Sequence, residues 1–134
     1  MKGTQRYNAF FFSIATVLLV TSCSTEELEQ YNPDFKGSWK SAVYFTSTVG
    51  DSVQNFLVVD GRDSGFGIAC EKNCEFCNCL TFQVGRARIK PSTKELQIGG
   101  QVNQILEVTK EPFINENDEW ELEINQMTYI RYEK

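Results

Sequence analysis

The sequence predicts an all-β domain: a small antiparallel up-and-down barrel of eight strands or, alternatively, a β-sandwich. Three observations predict it. From Gly37 onward, apolar and polar residues alternate with a period of two. Turn signals at Gly50-Asp51, Asp60-Gly61 and Gly99-Gly100 cut that alternation into short runs. No amphipathic helical stretch exceeds two turns. Residues 37–134 number 98. That length holds eight strands of about six to eight residues with short turns, and eight strands close a small barrel.

In chain order, Trp39, Ser41, Val43 and Phe45 define one face of a first strand. The stretch 53–59 is apolar and β-branched between two turn signals, which suits a buried strand. Phe66, Ile68 and Cys70 share a face, and Leu80, Phe82 and Val84 share the next. Ala87 and Ile89 oppose Arg86, Arg88 and Lys90. Leu96 and Ile98 precede the Gly99-Gly100 break, and residues 105–108 resume after it. Finally, Trp120, Leu122 and Ile124 alternate with Glu119, Glu121 and Glu123. A two-residue Asn125-Gln126 turn then places Ile124 opposite Met127, Leu122 opposite Tyr129 and Trp120 opposite Arg131. A slip of one residue exposes the whole apolar set, so the register is well specified.

The chain ahead of this body divides in two. Residues 1–22 read as a cleaved signal peptide: Lys2 and Arg6, then an uncharged apolar run, then small residues. The run is too short to span a bilayer as a helix, which takes about 20 residues. Residues 23–36 are acidic and apolar-poor, and are expected to form a solvated flexible tether ending at the Asn32-Pro33-Asp34 turn. Removing 22 residues takes Lys2 and Arg6 with it. The rest holds 11 bases against 18 acids, a net charge of −7. That balance argues against nucleic-acid binding, which draws its affinity from phosphate neutralisation. The absence of histidine excludes Ser-His and Cys-His catalysis and histidine-ligated metals.

Cys70, Cys74, Cys77 and Cys79 lie within ten residues. An exported chain favours disulfides. Cys77 with Cys79 is a poor geometric match, since i and i+2 on a strand point the same way. Two pairings remain, and the nested one, Cys70–Cys79 with Cys74–Cys77, is preferred because Cys70 and Cys79 face each other across a hairpin. A four-cysteine metal site and a redox Cys74-x-x-Cys77 are the competing readings. No cofactor is expected. Arg86, Arg88 and Lys90 form either an anion-binding strip or a solvated strand face, and the second is favoured. Glu116-Asn117-Asp118 lacks the spaced oxygen set of a calcium loop and reads as a turn. Glu111-Pro112-Phe113 with residues 115–118 reads as a loop rimming a barrel mouth. No nucleophile elbow, phosphate loop or selectable carboxylate pair appears, so no enzyme is expected.

Three resemblances add to this reading. Val20-Thr21-Ser22-Cys23 resembles the bacterial lipobox. The resemblance implies acylation of Cys23, cleavage before it, and an outer-membrane lipoprotein held by several acyl chains. The acidic stretch after Cys23 resembles the export signal that carries Bacteroidota lipoproteins to the cell surface; periplasmic display is the alternative. Gly37-Ser38-Trp39 resembles the lipocalin Gly-x-Trp motif, and Arg131 sits where lipocalins keep an arginine over that tryptophan. Trp39 and Arg131 would then close one end of a barrel like those of the compact lipocalin-like lipoproteins of Bacteroidota. The resemblance implies a protein that binds or shields a small apolar or amphipathic ligand. The alternative is a filled core whose surface contacts a protein or glycan.

Overall fold

The two-residue periodicity becomes antiparallel pairing throughout the computed structural model, which describes residues 24–47, 51–70, 81–100 and 105–132. The strands are β1 (Glu26–Glu27), β2 (Gly37–Ser41), β3 (Tyr44–Thr46), β4 (Asp51–Val59), β5 (Ser64–Cys70), β6 (Thr81–Gly85), β7 (Ala87–Lys90), β8 (Glu95–Ile98), β9 (Leu106–Ile114), β10 (Trp120–Ile124) and β11 (Met127–Arg131). They form an antiparallel sheet of order β1-β7-β8-β9-β10-β11-β2-β4-β5-β6, with β3 on β4. The all-β expectation holds. The hydrogen-bonded path is open, with β1 and β6 as its ends among the described residues.

The last hairpin follows its predicted register. Leu122 pairs with Tyr129 and Ile124 with Met127. Leu122, Ile124 and Tyr129 are buried. Asn125 and Gln126 take φ of 50° and 64°, as a type I′ turn requires. Gln126 in that conformation costs about 1 kcal/mol. Its backbone N–H donates to Thr109 Oγ1 at 3.1 Å, and Asn125 Nδ2 donates to the Ile105 carbonyl at 3.0 Å, tying the turn to β9.

The expected first strand breaks in the middle. Trp39 and Ser41 face inward, but Val43 and Phe45 are 48% and 69% exposed. The Ser41 hydroxyl donates to the Ala42 carbonyl and accepts from the Asn55 N–H, so a side chain replaces a ladder bond. Pairing resumes at Tyr44, whose hydroxyl reaches Asn55. In β6 Gln83 is buried and Val84 is 65% exposed. The face expected from Leu80, Phe82 and Val84 therefore does not supply the core at Val84.

One residue, Arg86, separates β6 from β7. The first pairs with β5 and the second with β8. The corner depends on two glycines. Gly85 has φ +147°, and a Cβ there would lie 2.7 Å from Gly99 Cα. A Cβ on Gly99, at φ +73°, would lie 2.6 Å from the Val84 carbonyl oxygen. Backbone therefore packs on backbone at this crossing.

The expected flexible tether is corrected. From Glu26 onward it belongs to the folded body. β1 pairs with β7, a short helix α1 spans Leu28–Tyr31, and a 3₁₀ turn spans Pro33–Phe35. Leu28 and Phe35 are both fully buried, in one cluster with Trp39, Leu57, Phe66, Ile89, Leu96, Leu106, Leu122, Ile124 and Tyr129. The physical reason is that the few large apolar residues reach the core from separate elements: α1 carries Leu28, Asn32 is extended, and the 3₁₀ turn then brings Phe35 in. Burying Leu and Phe side chains yields about 1.5–3 kcal/mol each, enough to dock a polar segment.

Candidate functional site

The segment 33–39 and the end of β11 build the most specific constellation. Arg131 pairs in register with Trp39 across β11 and β2. Its guanidinium carbon lies 4.6 Å from the Trp39 ring and 4.5 Å from the Trp120 ring, so the cation sits against both indoles. The Trp39 Nε1–H donates to the Phe35 carbonyl at 2.8 Å. Arg131 Nη2 donates to the neighbouring Asp34 carbonyl. Gly37 makes room: at φ +138°, a Cβ there would meet Arg131 Nε at 3.1 Å. Glycine, tryptophan and arginine thus form one unit. Each cation–π contact contributes about 0.5–2 kcal/mol, more as water is excluded. The arrangement packs a cation against two indoles.

A second cluster clamps the N-terminal segment to Lys94, just ahead of β8, and to β9. Lys94 Nζ lies 2.7 Å from Glu111 Oε1 and also donates to the Tyr31 hydroxyl. The Tyr31 hydroxyl donates to Glu111, and Asn32 Nδ2 donates to the other carboxylate oxygen at 3.3 Å. Lys94 also lies 4.8 Å from the Tyr31 ring centre. Hydrogen bonding to Lys94 and then Tyr31 holds the Glu111 carboxyl below its usual range. The same bonds hold the Lys94 ammonium above its own. Both side chains are about 40% exposed, so the cluster orients more than it stabilises.

Inside the opposite half, Asn55 links β4 to β3 and β11. It accepts from the Tyr44 hydroxyl at 2.8 Å and donates to the Tyr129 hydroxyl at 3.0 Å. Burial pushes the Tyr129 hydroxyl up to about 12, partly offset by the Asn55 bond.

Two surface concavities are formed by described residues. One, of about 360 Å³, lies at the end of the β9–β10 hairpin and is lined by Phe113, Ile114, Asn115, Glu116, Asn117 and Glu121. Two residues of β9, Glu111 and Pro112, oppose the single Leu122 of β10 in the register, which is a bulge. Proline fits there because it has no N–H to donate to a ladder. Beyond the bulge, Phe113 and Ile114 are 39% and 53% exposed. The predicted rim loop is thus corrected at Glu111-Pro112-Phe113, which belongs to β9; the turn begins at Asn115. Asn115 Oδ1 accepts from the Asn117 and Glu119 N–H groups. The second concavity, of about 220 Å³, is lined by Val43, Val53, Gln54, Phe56, Ala69 and Cys70.

Arg86 of the basic strip pairs with Glu27 of β1 at 3.0 Å. Among the described residues, no group of three or more His, Cys, Asp or Glu side chains is placed to hold a metal ion. Cys70 ends β5 and is disulfide-bonded. Cys74, Cys77, Cys79 and the acylation candidate Cys23 lie outside the described residues. Sequence reasoning missed the roles of Asp34, Phe35, Tyr31 and Lys94. The adjacent apolar pair Phe113-Ile114, which breaks a period of two, was the available signal for the groove. Comparison with protein-family models, curated proteins and solved structures finds no match to this chain.

Proposed function

We propose that this chain is a lipid-anchored envelope lipoprotein whose lipocalin-like barrel has a filled core and contacts a partner protein through its surface. The groove at the end of the β9–β10 hairpin carries the reading: Phe113 and Ile114 line it together with Glu116 and Glu121. Such a surface suits a partner presenting apolar side chains beside cations. A filled core is supported by the fully buried Trp39, Leu57 and Leu122, and by the Asn55 network that spans the interior. The barrel is supported by the corner at Gly85. Counting β2 with β3 and β6 with β7 as single bent strands, and setting the two-residue β1 aside, reduces eleven to eight. Taken as one strand, β6–β7 pairs β5 on one side and β8 on the other. Trp39 and Arg131 close one end. Anchoring rests on the lipobox resemblance at Cys23, which assigns the protein to the outer membrane, facing the surface or the periplasm. Among the described residues no helix is long and apolar enough to cross a membrane.

The test is cross-linking in intact cells. The expected result is a reproducible partner protein that is lost with Phe113→Asp and Ile114→Asp. These positions are exposed, so folding is retained. Cross-links unchanged by both substitutions would refute the groove as the contact. The second reading, a small apolar ligand, draws on the concavity between Val43 and Cys70. At about 220 Å³ it falls below the roughly 300–1,000 Å³ of small-molecule sites, which is why it ranks second. A stoichiometric small-molecule adduct in the native mass of the purified body would reverse the order.

A further inference from the structure

The outward faces of the sheet's two halves differ. On β7 and β8 the outward positions place Arg88 beside Gln97 and Lys90 beside Glu95, as a solvated face does. On β11, β2 and β4 the residues that alternate with the buried Tyr129, Trp39 and Leu57 include Ile130, Tyr132, Phe56 and Val58, all half-buried. Phe56 and Tyr132 pack edge to face, with ring centres 6.2 Å apart.

One row of this apolar face crosses five strands in register. Ile130 of β11 pairs with Glu121 of β10 on one side and with Lys40 of β2 on the other. Beyond them, Glu121 pairs with Phe113 of β9, and Lys40 pairs with Phe56 of β4. Residues directly opposite each other in an antiparallel pair share a face. The order along the row is therefore Phe113, Glu121, Ile130, Lys40, Phe56. Outward from Ile130, each side offers first a charge and then a phenylalanine, and the two charges are opposite. Glu121 accepts from Asn115 Nδ2 at 3.0 Å, and Lys40 Nζ lies 5.0 Å from the Tyr132 ring centre. Neither Glu121 nor Lys40 forms an ion pair among the described residues.

We propose that this face is self-complementary and pairs two copies of the chain. A two-fold axis lying along β11 over Ile130 turns the Glu121 of each copy toward the Lys40 of the other, about 5 Å to either side, one strand spacing. Along the axis Ile130 meets Ile130 and Tyr132 meets Tyr132. At the margins Phe113 meets Phe56, where large side chains reach across the gap that sheet twist opens. Two sheets packed in alignment about 10 Å apart give this arrangement. The apolar residues lose water on contact, and the two charge pairs fix the register. The inference goes beyond the hairpin groove, which shares Phe113 and Glu121 with the row, and does not depend on the lipid anchor.

The test is sedimentation velocity of the full chain, purified without reductant in density-matched detergent, over about 1–100 µM. The expected result is a dimer that dissociates on dilution. Lys40→Glu and Glu121→Lys each set like charges against one another and are expected to weaken self-association about tenfold or more. Mixing the two variants restores both charge pairs in a heterodimer, and the double variant restores them in a homodimer, so both recover the parental association. Recovery on mixing also shows that each single variant is folded. A parent that stays monomeric over the whole range overturns the proposal. So does a dimer indifferent to either reversal, or one that neither the mixture nor the double variant restores. A foreign protein held in the groove is not restored by mixing, so the two readings fail separately.

Discussion

The β10–β11 hairpin and the segment 24–36 are both essential to the core, yet only the first declares itself locally. In the hairpin, each determinant lies within a few residues of what it determines. Asn125-Gln126 sets a two-residue turn, the turn sets register, and the register turns Leu122, Ile124 and Tyr129 inward. In the N-terminal segment the determinants are distant. Leu28 and Phe35 are buried by strands far along the chain, and the polar residues between them find partners at Lys94 and Glu111. A segment with only three large apolar residues reads as a solvated leash until the cavity that receives them is known. Average polarity was a poor guide; the presence of Leu28 and Phe35 as large apolar residues was the better one.

The comparison can be broken by substitution. If the segment is as much a part of the core as the hairpin, Phe35→Ala destabilises the domain by about 3–5 kcal/mol, as Trp39→Ala does. Leu28→Ala and Leu122→Ala each cost about 2–5 kcal/mol. Urea unfolding measures all four. A cost below about 1 kcal/mol for Phe35→Ala and Leu28→Ala would return the segment to a tether.

Alkaline titration sharpens the hairpin side. The Tyr129 hydroxyl ionises at 10.0 when unfolded and at about 12 when folded. A raised acid favours the neutral folded form, so its stabilisation is complete below pH 10 and is lost as pH rises toward 12. The full loss amounts to about 3 kcal/mol. Tyr129→Phe costs about 1 kcal/mol near neutrality through the lost Asn55 bond. Its stability then falls less than that of the parent above pH 10. Parallel declines in the two proteins would contradict the assignment. Lys94 also loses stabilisation in alkali, because its ammonium is held above the usual range, but it is present in both proteins and cancels.

The Arg131 contacts join the two regions. Arg131→Met keeps the aliphatic bulk and removes both cation–π contacts and the bond to the Asp34 carbonyl. The expected cost is about 1–3 kcal/mol. An equal cost in a background carrying Trp120→Leu would mean that the second indole contributes nothing.

The smallest effect is at the clamp. The Glu111 carboxyl is held low, so its contribution is present above the ordinary value of 4.5 and disappears as pH falls through its folded value. Glu111→Gln should cost under about 1 kcal/mol near neutrality, because the pair is largely solvated, and nothing in strong acid. Thermal melts at the two pH values check the sign.

Much of the fold was legible. The all-β class, the strands at 53–59 and 87–98, and the final hairpin all follow from two-residue alternation with turn residues between. Trp39 and Arg131, both singled out in the sequence, lie 4.6 Å apart, ring centre to guanidinium carbon. What stayed hidden was non-local. The break after Ser41 depends on a hydroxyl that caps the ladder toward Asn55. The inward turn of Gln83 follows its pairing with Phe66 and cannot be seen in β6 alone. The groove at Phe113 depends on a bulge at Pro112, and a bulge shifts every later residue by one face.

The most direct measurement is amide hydrogen exchange across residues 24–36, read against the β10–β11 hairpin in the same sample. The N–H groups of Asn32, Phe35 and Lys36 are bonded to the carbonyls of Leu28, Asn32 and Pro33. The account predicts that these amides exchange only with the slow opening that releases the hairpin, within about tenfold of its protection. Exchange at the rate of an unstructured peptide, with the hairpin still protected, would show that the folded unit begins at Gly37 and would contradict the account.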